Sequence, residues 1–163
     1  MNKPEKYIFK LIEEDDDFRK ARKLFIEYSK SLDFDLHFQN FEQELKEIDI
    51  QYNKPHGGLI LILDCLAGEE VGCVGIRKFE DKIAELKRMF IKESHRNKGL
   101  GKKLIEMAIE LSRSLGYEKI RLDTLDTMIP ANVIYEKFGF KETGAYRYNP
   151  FRNVKYFELD LSA

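Results

Sequence analysis

The stretch that decides the fold runs Glu85-Leu86-Lys87-Arg88-Met89-Phe90-Ile91 and, after a short connection, Arg96-Asn97-Lys98-Gly99-Leu100-Gly101. The first segment has the composition of a strand, and the second is a glycine loop that leads into a helical pattern. The first N–H groups of such a helix are unpaired, and the helix dipole adds positive potential. Glycines let the backbone approach an anion closely and take positive φ where needed. The stretch therefore predicts a phosphate or pyrophosphate site.

Two common phosphate-binding motifs do not fit this loop. A Walker loop would need Gly at Arg96 and Ser or Thr at Lys103, and a dinucleotide fingerprint would need Gly at Leu104. Without the rest of the chain, an equally good interpretation is that Gly99 and Gly101 only shape a tight strand-to-helix turn.

The segments on either side of the loop predict a mixed α/β order. The predicted strands are Tyr7–Ile12, Leu59–Leu66, Val71–Phe79, Lys82–Lys92, Lys119–Leu125, one beginning at Phe140, and Lys155–Leu161. A first helix is predicted to begin at Asp15–Asp17. Three more are predicted at Phe38–Ile48, Gly99–Leu115 and Pro130–Phe138, and the last two end at Gly116 and Gly139.

Length and composition indicate one globular domain over residues 1–163, with 35% charged residues and a net charge of -1. No apolar run approaches the roughly 20 residues of a membrane helix. The N-terminal segment lacks an apolar signal core, and Cys65 and Cys73 are expected to be reduced core thiols, so we predict a cytoplasmic protein.

Charge is distributed unevenly along the chain. The segment Lys87–Lys103 has seven basic residues and one acid, Glu93, whereas the first half of the chain is acidic. This pattern favours a local site for a small polyanion over a duplex-binding surface, so no nucleic acid is expected. The three histidines, His37, His56 and His95, show no ligand spacing, so no metal is expected.

Two motifs in order resemble one known family. The pattern RxxGxG after an E-x-K-x-x-x-[IV] strand resembles the acyl-CoA pyrophosphate loop of the GNAT N-acetyltransferase superfamily. The segment Ala131–Phe140, ANVIYEKFGF, is similar to that family's A-x-x-[LI]-Y-E-K-x-G-F signature. The resemblance implies a single-domain α/β fold, with a central mixed, mostly antiparallel sheet of about seven strands and helices on both faces.

The resemblance also implies acetyl-CoA as acyl donor, without a metal, and direct transfer to an amine through a tetrahedral intermediate. It implies pantetheine at the strand edge Met89, Phe90 and Ile91, with an N–H near Phe90 or Ile91 facing the oxyanion. Such strands often splay through a bulge, which frees backbone groups for a ligand. The residues implied to hold the CoA phosphates are Arg96, Asn97, Lys98, Gly99, Leu100, Gly101 and Lys102.

Two residues are implied to be catalytic. Glu85 is the candidate base, through a water, and strand alternation predicts that it shares a face with Lys87, Met89 and Ile91. An ion pair between Glu85 and Lys87 is the structural alternative. Tyr135 is the candidate acid for the departing thiolate, and an ordinary interfacial tyrosine is its alternative.

The chain departs from the family pattern at one position. Related sequences often have Asn three residues before the alanine of the motif, where this chain has Met128. Asn132 is the candidate replacement for that contact to CoA.

Several alternatives remain open at the level of sequence. The runner-up function is a non-catalytic acyl-CoA-binding module. The acidic segment Leu32–Gly58 favours a cationic acceptor such as a polyamine, an aminoglycoside or a basic peptide, although solvated helix faces explain it as well. The sequence is compatible with a homodimer.

Overall fold

The computed structural model describes residues 5–32, 34–36 and 40–162. The strands are β1 (Tyr7–Leu11), β2 (Gly58–Asp64), β3 (Glu69–Glu80), β4 (Ile83–Ile91), β5 (Lys119–Leu125), β6 (Lys141–Thr143) and β7 (Val154–Asp160). The helices are α1 (Asp15–Ser31), α2 (Phe41–Lys46), α3 (Ile48–Gln51), α4 (Leu100–Ser114) and α5 (Ile129–Lys137).

The strands form one seven-stranded sheet in the order β1-β2-β3-β4-β5-β7-β6. Each neighbouring pair is antiparallel except β4 and β5, which run parallel. The crossover between these two strands is α4, as a parallel connection requires. The predicted mixed, mostly antiparallel sheet is therefore confirmed.

Each face of the sheet carries its own hydrophobic core because strand residues alternate between faces. On β2, Leu59 and Leu61 pack with α1 and α3, whereas Ile60 and Ile62 pack with α4. The predicted helices on both faces are confirmed. Below, the two faces are called the α1–α3 face and the α4–α5 face.

The predicted helix Phe38–Ile48 differs from the structure. Phe38 lies outside the described residues, and the chain forms α2 and α3 with Glu47 between them at φ -106 and ψ 19. The buried residue of α2 is Glu44, an acid held by polar partners rather than part of an apolar stripe. A short helix that buries a carboxylate explains why apolar spacing predicted its bounds poorly.

The expectations for the cysteines and for membrane-spanning helices can also be compared with the structure. Both cysteines are free, but Cys65 is exposed and only Cys73 is buried, so the expectation of core thiols is right for Cys73 alone. Of the helices that the described residues form, none has both the length and the apolar character needed to cross a membrane.

Candidate active site

The site begins where β4 and β5 part. The two strands pair only from Ile83 with Lys119 to Glu85 with Arg121. We call Ile83–Glu85 the closed segment of β4 and residues 86–91 the open segment. A pocket of about 80 Å³ lies in the gap, between the open segment and residues 122–125 of β5.

The pocket reaches both faces of the sheet. Tyr135, on α5, belongs to the core of the α4–α5 face, whereas Tyr28, on α1, packs against the core of the α1–α3 face. Both tyrosines line the pocket. Two reactants could therefore meet in the gap from opposite sides of the sheet.

A bulge explains why the open segment leaves its neighbour. Cys73 stands opposite Phe90 and Gly75 opposite Lys87, so β4 has one residue more than β3 between these pairs. Arg88 lies at the bulge with φ 58, in the left-handed region. Bulges of this kind bend a strand and increase its twist.

The bulge overturns the predicted alternation. Lys87 was expected to share a face with Met89 and Ile91, but Met89 and Ile91 pack against the core of the α4–α5 face. Phe90 lies in the core of the α1–α3 face. The prediction is wrong beyond Lys87 because the extra residue shifts the alternation by one.

A buried ion pair holds the bulge in place. Arg88 donates from Nε and Nη2 to the two carboxylate oxygens of Glu44, at 3.0 and 2.7 Å, and the Tyr52 hydroxyl donates to Glu44 at 2.8 Å. Burial acts to raise the pKa of Glu44, but the hydrogen bonds and charge of Arg88, together with the charges of Lys87 and Arg77, outweigh it and lower that pKa. Glu44 is one of the acids in the segment expected to favour a cationic acceptor, and in the structure it binds Arg88 instead.

The open segment turns one N–H toward the gap. Lys92 donates its N–H to the Val71 carbonyl of β3 at 2.9 Å. Because successive residues of a strand point to opposite edges, the backbone groups of Ile91 face the other edge. The Ile91 carbonyl accepts a hydrogen bond from Arg96 Nε at 2.9 Å.

The loop before α4 has the geometry of an anion cradle. Asn97 and Gly99 have positive φ, 62 and 78 respectively. Within the part of the chain that the structure describes, the N–H groups of residues 97–102 have no backbone acceptor. A Cβ on Gly99 would have no atom within 4 Å, so the space beside the cradle is open.

Gly101 has a different role from Gly99. It lies in the first turn of α4 without a positive φ, and it is buried. A Cβ there would lie 3.2 Å from Ile134 Cδ1 and 3.5 Å from Ile91 Cδ1. The close approach of α4 to α5 and β4 therefore requires this glycine.

Tyr135 lines the pocket, and its ring packs against other aromatic side chains. Its ring centroid is 5.7 Å from that of Phe140 and 6.1 Å from that of Phe157. Burial raises the pKa of Tyr135 well above its ordinary value. The hydroxyl therefore stays protonated at neutral pH and can act as a proton donor.

The side chain of Asn132 joins α5 to β5. Its Oδ1 accepts from Thr124 Oγ1 at 3.0 Å, and its Nδ2 donates to the Leu125 carbonyl at 2.9 Å. Met128, which stands where related sequences have Asn, accepts from the same Thr124 hydroxyl through its sulfur at 3.5 Å. These contacts position α5 beside the pocket, and a contact of Asn132 to CoA stays a prediction.

Glu85 lies away from the pocket, in the closed segment. It is 1% exposed, accepts from Arg77 Nε at 2.9 Å and pairs through its other oxygen with Arg147. Two arginines thus bind its two carboxylate oxygens. The structure does not bring Glu85 together with Tyr135, because Glu85 is absent from the residues that line the pocket.

Two charged residues that line the pocket escaped the sequence reasoning. Lys87 is 3% exposed, and burial lowers its pKa to about 7. Asp123 follows the core residue Leu122 on β5 and shares the half-buried phase of that strand with Lys119 and Arg121. No sequence signal distinguished Asp123, because it continues the polar phase of an alternating strand after Lys119 and Arg121. In the described residues, no group of His, Cys, Asp and Glu has the arrangement of a metal site.

Comparison with known proteins agrees with this geometry. Residues 18–140 match the model of the Acetyltransferase (GNAT) family. An uncharacterised N-acetyltransferase of Schizosaccharomyces pombe is 38% identical over 154 residues, which are 94% of this chain and 92% of the relative.

Solved structures share the fold. A GNAT-family acetyltransferase from Staphylococcus aureus aligns with a TM-score of 0.75 at 22% identity, over 94% of this chain and 99% of that one. The spermidine N-acetyltransferase of Vibrio cholerae, solved with CoA and spermine, aligns with a TM-score of 0.67 at 21% identity, over 96% of each chain. At these identities the likeness shows the fold alone.

Proposed function

The chain belongs to the acetyltransferase (GNAT) family and is an acetyl-CoA-dependent N-acetyltransferase, and we propose that it passes the acetyl group directly to an amine through a tetrahedral intermediate. One observation carries the proposal. The gap between β4 and β5 opens beside Tyr135 and connects the two faces of the sheet. A thioester and an amine that enter from opposite faces would meet there without a covalent enzyme intermediate.

The loop before α4 is the proposed site for the pyrophosphate of CoA. The unpaired N–H groups of residues 97–102 and the helix dipole of α4 suit an anion. Arg96, Lys98 and Lys102 add positive charge at the rim. The proposed path of pantetheine follows the open segment at Met89, Phe90 and Ile91, where β4 has no partner strand on that edge.

The backbone of Ile91 and the hydroxyl of Tyr135 are assigned the chemistry. The Ile91 N–H, turned toward the gap, is the proposed donor to the oxyanion that develops on the thioester carbonyl. Tyr135, kept protonated by burial, is the proposed acid that protonates the departing thiolate. The two ion pairs of Glu85 support a structural role for that residue, and its prediction as base is left to experiment.

An amine acceptor is supported by the fold and by the relatives. The spermidine N-acetyltransferase among the structural neighbours was solved in complex with CoA and spermine. A cytoplasmic location, a homodimer and the absence of a nucleic-acid partner stay predictions.

The test is release of free CoA thiol from acetyl-CoA by the purified protein against a library of primary amines, amino acids and peptides. Mass spectrometry of the acetylated amine confirms transfer, and a reaction without amine measures hydrolysis. Tight acetyl-CoA binding without thiol release across the library would instead establish the acyl-CoA-binding module.

A further inference from the structure

Asp123 has an arrangement that folding alone does not explain. Its Oδ2 is fully buried, and among the residues that the structure describes no group donates a hydrogen bond to it. A buried carboxylate oxygen without a donor is costly, and such groups are rare in native structures. The residue lines the pocket between β4 and β5. An unsatisfied acceptor at a pocket wall indicates that a ligand supplies the donor.

The walls around Asp123 suit an ammonium group. Tyr28, Phe34 and Tyr135 line the same pocket. Aromatic faces attract cations, most strongly where water is excluded. The charge of Asp123 reaches the hydroxyls of Tyr28 and Tyr135, because it acts to raise the pKa of both.

The other charged groups that the structure describes near the pocket are already paired or are cations. Arg88 is neutralised by Glu44 in a bidentate ion pair. Both oxygens of Glu85 are bound by Arg77 and Arg147. Lys87 is a cation when protonated and cannot bind another cation. Among the described residues that line the pocket, Asp123 is therefore the carboxylate that is available to an incoming amine.

We infer, on the basis of the proposed acetyl transfer, that Asp123 binds the ammonium group of the acceptor and takes its proton. The acceptor class is a primary aliphatic amine whose head group enters a pocket of about 80 Å³. The Asp123 carboxylate and the Tyr135 hydroxyl line the same pocket, as a base for the amine and an acid for the thiolate must.

The proton balance of the step closes. Asp123 takes one proton from the ammonium, and the freed lone pair forms the C–N bond to the thioester carbonyl carbon. The C–S bond breaks, and the leaving sulfur takes the proton of the Tyr135 hydroxyl. A second proton, lost from nitrogen as the amide forms, returns through solvent to Tyr135. The proton on Asp123 passes to bulk water, so the reaction yields amide, CoA thiol and one proton.

The first test measures binding rather than turnover. Ethylammonium is the probe, ethanol its neutral counterpart of the same size, and saturation-transfer NMR in the presence of CoA reports binding. We expect the wild type to bind ethylammonium in preference to ethanol and Asp123→Asn to bind it roughly 10-fold more weakly or worse. The exposed carboxylate of Asp126, which accepts from Asn153, offers Asp126→Asn as a matched control without effect. Equal binding by Asp123→Asn, or no binding by the wild type, overturns the inference.

Stability separates this role from a structural one. Because Asp123 Oδ2 has no donor in the described protein, Asp123→Asn is expected to melt no lower than the wild type. A lower melting temperature would identify a structural carboxylate and overturn the inference.

Turnover then separates the two proposals. A wild type that binds ethylammonium through Asp123 but acetylates no amine would refute the proposed function alone. A wild type that acetylates amines, with Asp123→Asn as active as Asp126→Asn, would refute the role of Asp123 alone. With an accepted amine, we expect kcat/KM of Asp123→Asn to fall on the order of 10²-fold or more, and acetyl-CoA affinity to stay unchanged.

Discussion

The closed and open segments of β4 are adjacent in the chain, but the carboxylates beside them differ in their hydrogen-bond partners. In the closed segment β4 pairs with strands on both edges, and the buried carboxylate of Glu85 is bound by two arginines. Along the open segment β4 no longer pairs with β5, and the carboxylate across the gap, Asp123, has a buried oxygen to which no described residue donates a hydrogen bond.

The difference teaches how to tell a structural polar residue from a functional one in this fold. Most buried polar groups in native proteins are satisfied, so an unsatisfied one on a pocket wall indicates a place where a ligand can supply the missing partner. By this criterion we predict a structural role for Glu85 and a place in the site for Asp123. Chemical type alone does not distinguish them, since both are acids on neighbouring strands, Glu85 buried and Asp123 half-buried with one buried oxygen.

The largest expected effect is a loss of stability on substitution of Glu85 in the closed segment. Glu85→Gln leaves Arg77 and Arg147 without their counter-charge, and loss of one partner from a buried ion pair costs about 3–5 kcal/mol. Urea unfolding should show this loss, and Glu110→Gln, at an exposed position of α4, should change little. Unchanged stability together with lost turnover would restore Glu85 as the base.

The next effect concerns the open segment. Tyr135→Phe keeps the ring packing with Phe140 and Phe157, so stability and acetyl-CoA affinity should hold. Turnover with an accepted amine should fall on the order of 10²-fold, the low end for a positioned acid, because a thiolate is already a fair leaving group. Binding and turnover are measured on the same preparation. Full turnover would remove Tyr135 from the mechanism, and a parallel loss of binding would make it a pantetheine contact.

A third prediction tests the junction of the loop with the open segment. Acetyl-CoA should stabilise the fold by about 2.7 kcal/mol at a hundredfold excess over its dissociation constant. Gly101→Val should abolish this gain, because its side chain would press on Ile134 and Ile91. Gly144→Val is the control, since a Cβ there meets nothing within 4 Å. Melting with and without acetyl-CoA measures the gain, and an undiminished shift in Gly101→Val would contradict the loop assignment.

Removal of a single cation should have a smaller effect. Arg96→Ala should weaken CoA by roughly tenfold and pantetheine without phosphate hardly at all, because a charge-assisted hydrogen bond to a phosphate is lost. Arg113→Ala, exposed in the last turn of α4, is the matched control. Calorimetric titration of both ligands makes the comparison. Equal losses for both ligands would assign Arg96 only to its hydrogen bond with Ile91.

The smallest effect concerns Lys87, at the boundary between the segments. Its pKa is lowered to about 7 by burial, from an ordinary value of 10.5. Between these values the unfolded chain binds one proton more than the folded chain, so the free energy of unfolding should rise with pH, by about 1 kcal/mol per pH unit. Urea unfolding between pH 7 and 9 measures the slope, and Lys87→Met should have a shallower one. Parallel slopes would show that Lys87 keeps its proton in the fold.

The residues that could be predicted from the sequence share one property. The N–H cradle before α4, the terminators Gly116 and Gly139 and the tyrosine of α5 all depend on neighbours within a turn or two of the chain. Local patterns therefore predicted the element order and the phosphate loop, and with the family resemblance they predicted the acetyltransferase fold.

The tertiary structure alone decided which buried charges work together. The bulge at Arg88 depends on Glu44, which is distant in sequence, and the clamp on Glu85 depends on Arg77 and Arg147. The extra residue of the bulge moves the side chains of the rest of β4 to the opposite faces of the sheet. The hydrophobic periodicity of the sequence does not show where such a bulge lies. The sequence by itself thus determined that a glycine loop with the geometry of an anion cradle precedes α4. Long-range pairing decided that β4 and β5 separate and that Asp123, rather than Glu85, faces the gap.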